Sequence, residues 1–528
     1  AFAAASFVLL LLAHLEIISV RFYPIIILTF IFVQTKPSLQ YRVKYTVCFV
    51  MTENENFQKI KHLYNRAGFG LHYSELQKLS RTKLNKLVAD MIEKAKTDVP
   101  ITTIAPGHVK SVMLKNAGLT KKEGLSPEQL KERQKLLVSL NKQLKNLNTE
   151  WFFRMMDIDS PLREKMTLFW NNHFACREEG NPYFAQVLNN IQRKHALGDF
   201  RQLLLEVSQS ASMLNFLNNQ QNKKGRPNEN FARELMELFT LGRGNYSEKD
   251  IKESARAFTG WVHDAEGNFV FNTKNHDNGI KTFFGKEGNF NGEDIIDMIL
   301  QKPEAAVFIA RKAYRFFVND VPDETHVQEL GNHFYKSKYD ISVLMNKMFT
   351  ADWFYAPENT GNKIKSPVEF IVGLSRQFNV TYKRQEIILQ LQRGLGQTLF
   401  YPPNVAGWAG GRNWIDSSSL MLRLTIPSQI LNDGSLNFSA KTDPDDENIV
   451  AMKQMDDAVI EAKKKGSRIE INWENFWADF PKDYSVQQIA GFILQCKPSA
   501  QLNQIISSSI DKKNAIIKTA SSPEYQLC

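Results

Sequence analysis

The chain has 528 residues, 43% hydrophobic, 11% aromatic and 23% charged, which excludes a disordered polymer and provides for one large core or two moderate ones. The 66 basic and 56 acidic residues leave a formal charge of +10, but the signs are interspersed and no recognition helix, zinc finger or RNA-binding signature accompanies them, so no nucleic-acid partner is expected. Four cysteines, Cys48, Cys176, Cys496 and Cys528, lie too far apart for a disulfide framework or a zinc-ligand pair and are expected as buried thiols.

Residues 7 to 33 are strongly apolar but interrupted by His14, Glu16, Arg21 and Pro24, a poor single membrane helix and an imperfect signal peptide. The first methionine is Met51, followed at once by a polar run and a helical pattern. The expectation is that residues 1–50 are not part of the native protein. With Met51 as the start the protein is expected in the cytoplasm; with 1–50 native, it is exported or anchored to a membrane.

From residue 57 onward, apolar spacings of three and four dominate, which predicts a mainly α, multi-helix globular domain. Ser126-Pro127-Glu128-Gln129 reads as an N-cap with a capping box, and Leu130, Leu137, Leu140, Leu144 and Leu147 follow on one packed face. Ser160-Pro161 opens a helix striped by Leu162, Met166, Phe169, Trp170 and His173, and Asn228 caps one that stops near Gly242. Ser247 and Asp250 form a second capping box.

The helical period lapses between 262 and 292, where a small irregular or β-hairpin segment is expected, and again at 400–416. The acidic turn at 442–447 reads as a linker or surface loop. The simplest partition is a main domain over 51–430 and a helical C-terminal extension over 431–528 packed on it.

Several segments then carry a resemblance. His62-Leu63-Tyr64-Asn65-Arg66-Ala67-Gly68-Phe69-Gly70, Trp170-Asn171-Asn172-His173-Phe174, Asn228 through Leu238, Ala257-Phe258-Thr259-Gly260-Trp261, His276 through Lys281 and Pro402 through Trp408 together resemble a bacterial family, domain of unknown function 1800 (DUF1800), over about residues 57 to 425. The resemblance brings no chemistry with it. It implies a partner, since family members are often encoded beside a phosphatase- or sulfatase-like protein, and many members are exported. The family usually has His after the Glu-Leu of its central motif, where this chain has Phe239.

The residues themselves offer one candidate centre. On a helical wheel Glu229, Arg233 and Glu237 form an i, i+4, i+8 ladder, with Glu234 at the border of the buried face. Glu234, Glu237, Arg233, His276 and Asp277 are candidate catalytic groups, and His173, Glu234, Glu237 and His276 are candidate ligands of a divalent metal. No His-Glu-x-x-His, nucleophile elbow or phosphate-binding loop is present. Against this stands a structural Arg–Glu network with satisfied core histidines.

Trp408, Arg412 and Trp414 could present rings and a guanidinium to a ligand, or could pin a loop. Two functions are therefore expected in alternative: a metal-assisted hydrolase or oxidoreductase, or a non-catalytic accessory protein serving the phosphatase- or sulfatase-like partner.

Overall fold

Local capping chemistry sets where most helices begin. Ser126 accepts a hydrogen bond from Gln129 N while the Gln129 side chain answers its backbone N–H, and Pro127 occupies the first turn. Ser247 and Asp250 close the same reciprocal pair. The computed structural model describes residues 53–434, apart from 98, 121–123, 158, 179 and 180, together with 436 and 469–528. The apolar segment 1–50 and the acidic turn at 442–447 lie outside the described residues.

In chain order the principal elements are α1 (Glu53–Arg66), α2 (Tyr73–Leu79), α3 (Leu84–Lys96), α4 (Pro127–Met156), α5 (Pro161–His173), α6 (Pro182–Lys194), α7 (Phe200–Gln209) and α8 (Asn230–Glu234). They continue with α9 (Glu248–Ala257), the hairpin β1 (Trp261–His263) and β2 (Phe269–Phe271), and the hairpin β3 (Lys281–Phe283) and β4 (Lys286–Gly288). Next come α10 (Gly292–Leu300), α11 (Pro303–Phe317), α12 (Glu324–Lys336), α13 (Ile341–Phe349), α14 (Pro367–Gln377), β5 (Val380–Tyr382), α15 (Glu386–Leu395) and α16 (Ser417–Asp433). After the gap follow β6 (Ile469–Ile471), α17 (Trp473–Ala478), α18 (Val486–Ile493), α19 (Ala500–Ser507) and α20 (Lys512–Ala520). The fold is mainly α; the sheets among the described residues are three antiparallel two-stranded pairs, two of them in the segment expected to be irregular or β-hairpin. No described helix is long and apolar enough to cross a membrane.

Three local expectations are corrected. Leu130 is 39% exposed, so only the C-terminal half of α4, from Leu140, is buried in the core. The Ser160 side chain makes no capping bond to α5. The helix after Asn228 passes from α8 into a π-helical segment, Leu235–Thr240, before Gly242 ends it at φ +76°.

Two hydrophobic cores result. One gathers α3, α5 and the helices from α7 to α13; the other gathers α2, α4, α14 to α16 and the C-terminal helices. The C-terminal segments share the second core with Ile60 of α1 and Leu144 and Leu147 of α4, and β6 pairs with β5 through Val380↔Ile471 and Tyr382↔Ile469. Helix α5 lies between the cores, sending Leu162, Met166, Phe169 and Trp170 into one and Leu168 into the other. Apart from Asn172 the whole helix is buried, including Arg163, Glu164 and Lys165.

Such charges tolerate burial only when paired. Glu164 pairs with Arg193 of α6 and accepts from Trp151 Nε1 at 3.1 Å, and Arg163 donates to Thr97 O at 2.8 Å. Gly68 completes the entry to α5, since a Cβ there would stand 2.9 Å from Tyr64 O and 3.0 Å from Pro161 Cβ.

Replacing Glu164 by Gln leaves the fully buried Arg193 guanidinium without its counter-charge, and unfolding in urea should show a loss of about 3 kcal/mol. A loss under about 1 kcal/mol would mean that the pair does not secure α5.

Candidate functional site

The groups singled out in the sequence settle into separate surroundings. Arg233 pairs with Glu229 at 3.3 Å, as the helical period predicts, but Glu237 is absent from the ladder. The π-helical segment changes the register after Glu234, so Glu237 accepts from Arg243 Nε at 2.6 Å and from Tyr246 Oη at 3.2 Å. Arg233 turns instead to Glu248 of α9 at 2.9 Å. Burial and the charge of Glu237 raise the carboxyl pKa of the half-buried Glu234.

Asp277 is bound by Arg256 at 2.8 Å and by Gly279 N at 2.8 Å; chiefly the arginine bond holds its carboxyl down to about 2. His276 is buried and donates from Nδ1 to Thr259 O at 2.8 Å. His173 donates from Nε2 to Phe239 O at 3.0 Å inside a cage of Phe169, Trp170, Phe174 and Phe239, and burial lowers its pKa well below the ordinary imidazole value. The Phe239 ring, at the position where the resemblance implies a histidine, lies 6.1 Å from that imidazole.

The structure leaves Arg233, Glu234 and Glu237 close enough to act on one another, but gives Glu237, Asp277 and Arg233 each a neighbouring ion pair. Among the described residues no three His, Cys, Asp or Glu side chains are grouped as a metal ion would require. Of the aromatic loop, Trp408 is buried and clamped by Asn172, which accepts from Trp408 N at 2.7 Å and donates to Trp408 O at 3.3 Å. Gly407, at φ +77°, makes room for that clamp. Arg412 is exposed and Trp414 half-buried, so the loop is pinned chiefly through one tryptophan.

The group that does converge is cationic. A narrow cleft with about 40 Å³ of enclosed space is bounded by the Gly68-Phe69-Gly70 turn after α1, by α14 and by the C-terminal segments. Lys61, Lys165, Lys365 and Arg376 line it, with Glu369 its acid and Phe69, Phe492 and Tyr525 its aromatic walls. Gly373 opens onto the same space, where an added Cβ would meet nothing closer than Phe69 O at 3.9 Å.

Lys165 forms an ion pair with Glu369 and donates to Gly68 O at 3.1 Å. Behind this layer Arg66, Lys363 and Arg423 are also buried. Burial alone would raise the Glu369 carboxyl pKa; Lys165 and Lys363 outweigh it and hold the group down to about 2. Burial brings Lys365 down to about 8 and Arg423 down to about 10.

Positive charge exceeds the buried countercharge, which is Glu369 together with Cys528, the group that most offsets the burial of both Arg66 and Lys365. Asp320 meets Lys363 at 3.4 Å from a partly exposed position, and Glu75 and Asp157 partly offset Arg376. Arg376, 7% exposed, donates from Nη1 to Asp157 O at 3.2 Å, while its buried Nη2 has no partner among the described residues. The same holds for Nε and Nη1 of Arg66 and for Nε and Nη2 of Arg423. Guanidinium N–H groups left unbonded in the interior are costly.

Sequence reading missed this cluster, although it left a signal. Lys61 and Lys165 interrupt apolar helical stripes, and Ser366-Pro367 with Glu369 repeats the capping-box pattern.

Two protonation steps follow. His62 and His173 have lowered pKa values, both first because of burial. The fold therefore prefers them neutral, and stability should decline as pH falls below about 6.5, the ordinary imidazole value. Glu369 has a depressed pKa, so its contribution is present above about 4.3 and lost as pH falls toward 2. Denaturant melts across pH should show both declines, and His173→Gln should weaken the first; a profile flat from pH 7 to pH 5 would contradict the assignment of neutral buried imidazoles.

Comparison with known proteins adds one match. The family described as "Protein of unknown function (DUF1800)" matches residues 62–527, extending past residue 425 through the C-terminal helices. No curated protein and no solved structure matches the chain. The match spans most of the sequence, including both cores and the basic cleft, and the chain belongs to the DUF1800 family.

Proposed function

We propose that this protein binds a small oxyanionic ligand, one bearing a phosphate, sulfate or carboxylate group, in the basic cleft between α1, α14 and the C-terminal helices. The observation that carries this reading is the buried guanidinium of Arg376, a residue of the cleft lining whose Nη2 has no partner among the described residues, with Lys61, Lys165 and Lys365 lining the same space. Burying cations beyond their countercharge costs several kcal/mol, and apolar residues of similar volume would fill the space at lower cost. A bound anion offsets that cost, and a planar guanidinium with a free N–H suits oxyanion geometry. The space, about 40 Å³, admits a group of a few heavy atoms and no drug-sized ligand, with aromatic walls and a few polar groups.

This reading falls between the two functions expected from the sequence. It needs no metal, and it suits either an enzyme acting on an anionic substrate or an accessory protein. The phosphatase- or sulfatase-like partner implied by the family resemblance handles anions of this class, and we propose it as one source of the ligand.

The test compares thermal unfolding in phosphate, sulfate or acetate with chloride at equal ionic strength. Binding to the native state should raise the midpoint, with a stabilisation of about 2.7 kcal/mol when the anion stands at a hundredfold excess over its dissociation constant. Arg376→Gln should abolish the increment, whereas Arg233→Gln, at the exposed Glu229 and Glu248 pair, should keep it. An increment equal to that of chloride, or one retained in Arg376→Gln, would contradict the proposal.

A further inference from the structure

Lys61, like Lys365, is a cleft cation without an ion pair among the described residues. It sits on α1 with its side chain buried, and no carboxylate among the described residues lies within ion-pair distance of its Nζ. Glu369, the acid of the cleft, is engaged by Lys165 and by Ser366 N at 2.7 Å. Lys61 Nζ instead donates to Gly491 O at 3.0 Å and to Leu494 O at 2.6 Å, at the C-terminal end of α18, with the Phe492 ring 5.6 Å away.

Two donated bonds use both N–H groups of a neutral amine and leave its lone pair over. Burial, opposed by Cys496 and aided by Lys365, brings Lys61 down to about 7. A desolvated lysine beside another cation is an activated amine nucleophile.

We infer that Lys61 captures the carbonyl of a small anionic oxo compound, such as a 2-oxo acid, as an imine, while Lys365 receives the ligand's carboxylate. The inference rests on the anion-binding reading and narrows its ligand class. The amine nitrogen adds to the carbonyl carbon, forming the C–N bond and breaking the C=O π bond. Both N–H hydrogens then leave with the former carbonyl oxygen as water, so the neutral imine forms without oxidant or reductant. The two carbonyls at the end of α18 orient the free amine for addition and give up both bonds when the imine forms, and the neighbouring Lys365 selects an anionic partner over a neutral one.

The full chain is treated briefly with glyoxylate and cyanoborohydride near neutral pH, and the reduced adducts are mapped by peptide mass spectrometry. The Lys61 peptide should be modified at least about tenfold faster than solvent-exposed lysine peptides, which remain almost wholly protonated at that pH. Glycolaldehyde, a neutral carbonyl of similar size, should show no such preference, and excess phosphate should suppress the glyoxylate adduct. Lys61→Arg keeps donors for the α18 carbonyls and should remove the adduct; if that variant fails to fold, mapping of the unaltered chain decides.

Labelling spread over surface lysines, or concentrated on Lys365, overturns the assignment to Lys61. If phosphate still stabilises the protein through Arg376 while Lys61 stays unlabelled, the imine is wrong and the anion cleft stands. If phosphate also fails to stabilise, both fall.

Discussion

Lys165 of α5 and Glu369 of α14 meet where the two cores abut, and both are less than a tenth exposed. Helix α5 must be buried on nearly every side to join the cores, yet its sequence carries Arg163-Glu164-Lys165 in mid-course. Each of these charges therefore reaches a different neighbour: Arg163 the loop before α4, Glu164 helix α6, and Lys165 helix α14. Removing one partner from such a pair leaves an uncompensated buried charge, so the register of α5 against both lobes is strongly specified.

The same constraint shapes the cleft. Once Glu369 is committed to Lys165, it only partly balances Lys363 and Arg423, and it shares Arg66 and Lys365 with Cys528, their leading countercharge. The second core supplies walls that exclude water, and the closing segment Glu524–Cys528 adds backbone acceptors. Lys365 Nζ donates to Tyr525 O at 2.7 Å, and Ile364 bridges to Leu527. Low local polarity strengthens any anion held there, because electrostatic attraction grows as solvent is excluded. The acidic groups of the central family motif behave differently: Glu229, Glu237, Glu248 and Asp277 each find an arginine partner and tie α8, α9 and the segment after β2 together.

Much of the fold was legible because its signals are local. The boxes at Ser126 and Ser247 and the hairpin segment after residue 260 depend on neighbours within a few residues. The ladder through Glu237 failed because a helical wheel assumes 3.6 residues per turn, and the π-helical segment at Leu235–Thr240 is invisible to it. The cleft was out of reach for a different reason. Lys61 and its acceptor Gly491 are 430 residues apart, and Lys165 and Glu369 are 204 apart. Only the folded chain reveals that lysines on separate apolar stripes share one space.

The central claim, that the cationic cleft is built to hold an oxyanion, is tested most directly by locating one. Crystals grown with selenate in place of sulfate provide an anomalous signal independent of the protein's own atoms. The account predicts a peak in the cleft within hydrogen-bonding reach of Arg376 Nη2, at a selenate concentration that leaves exposed lysines unlabelled. A map with selenate only at surface lysines, and none in the cleft, would contradict it.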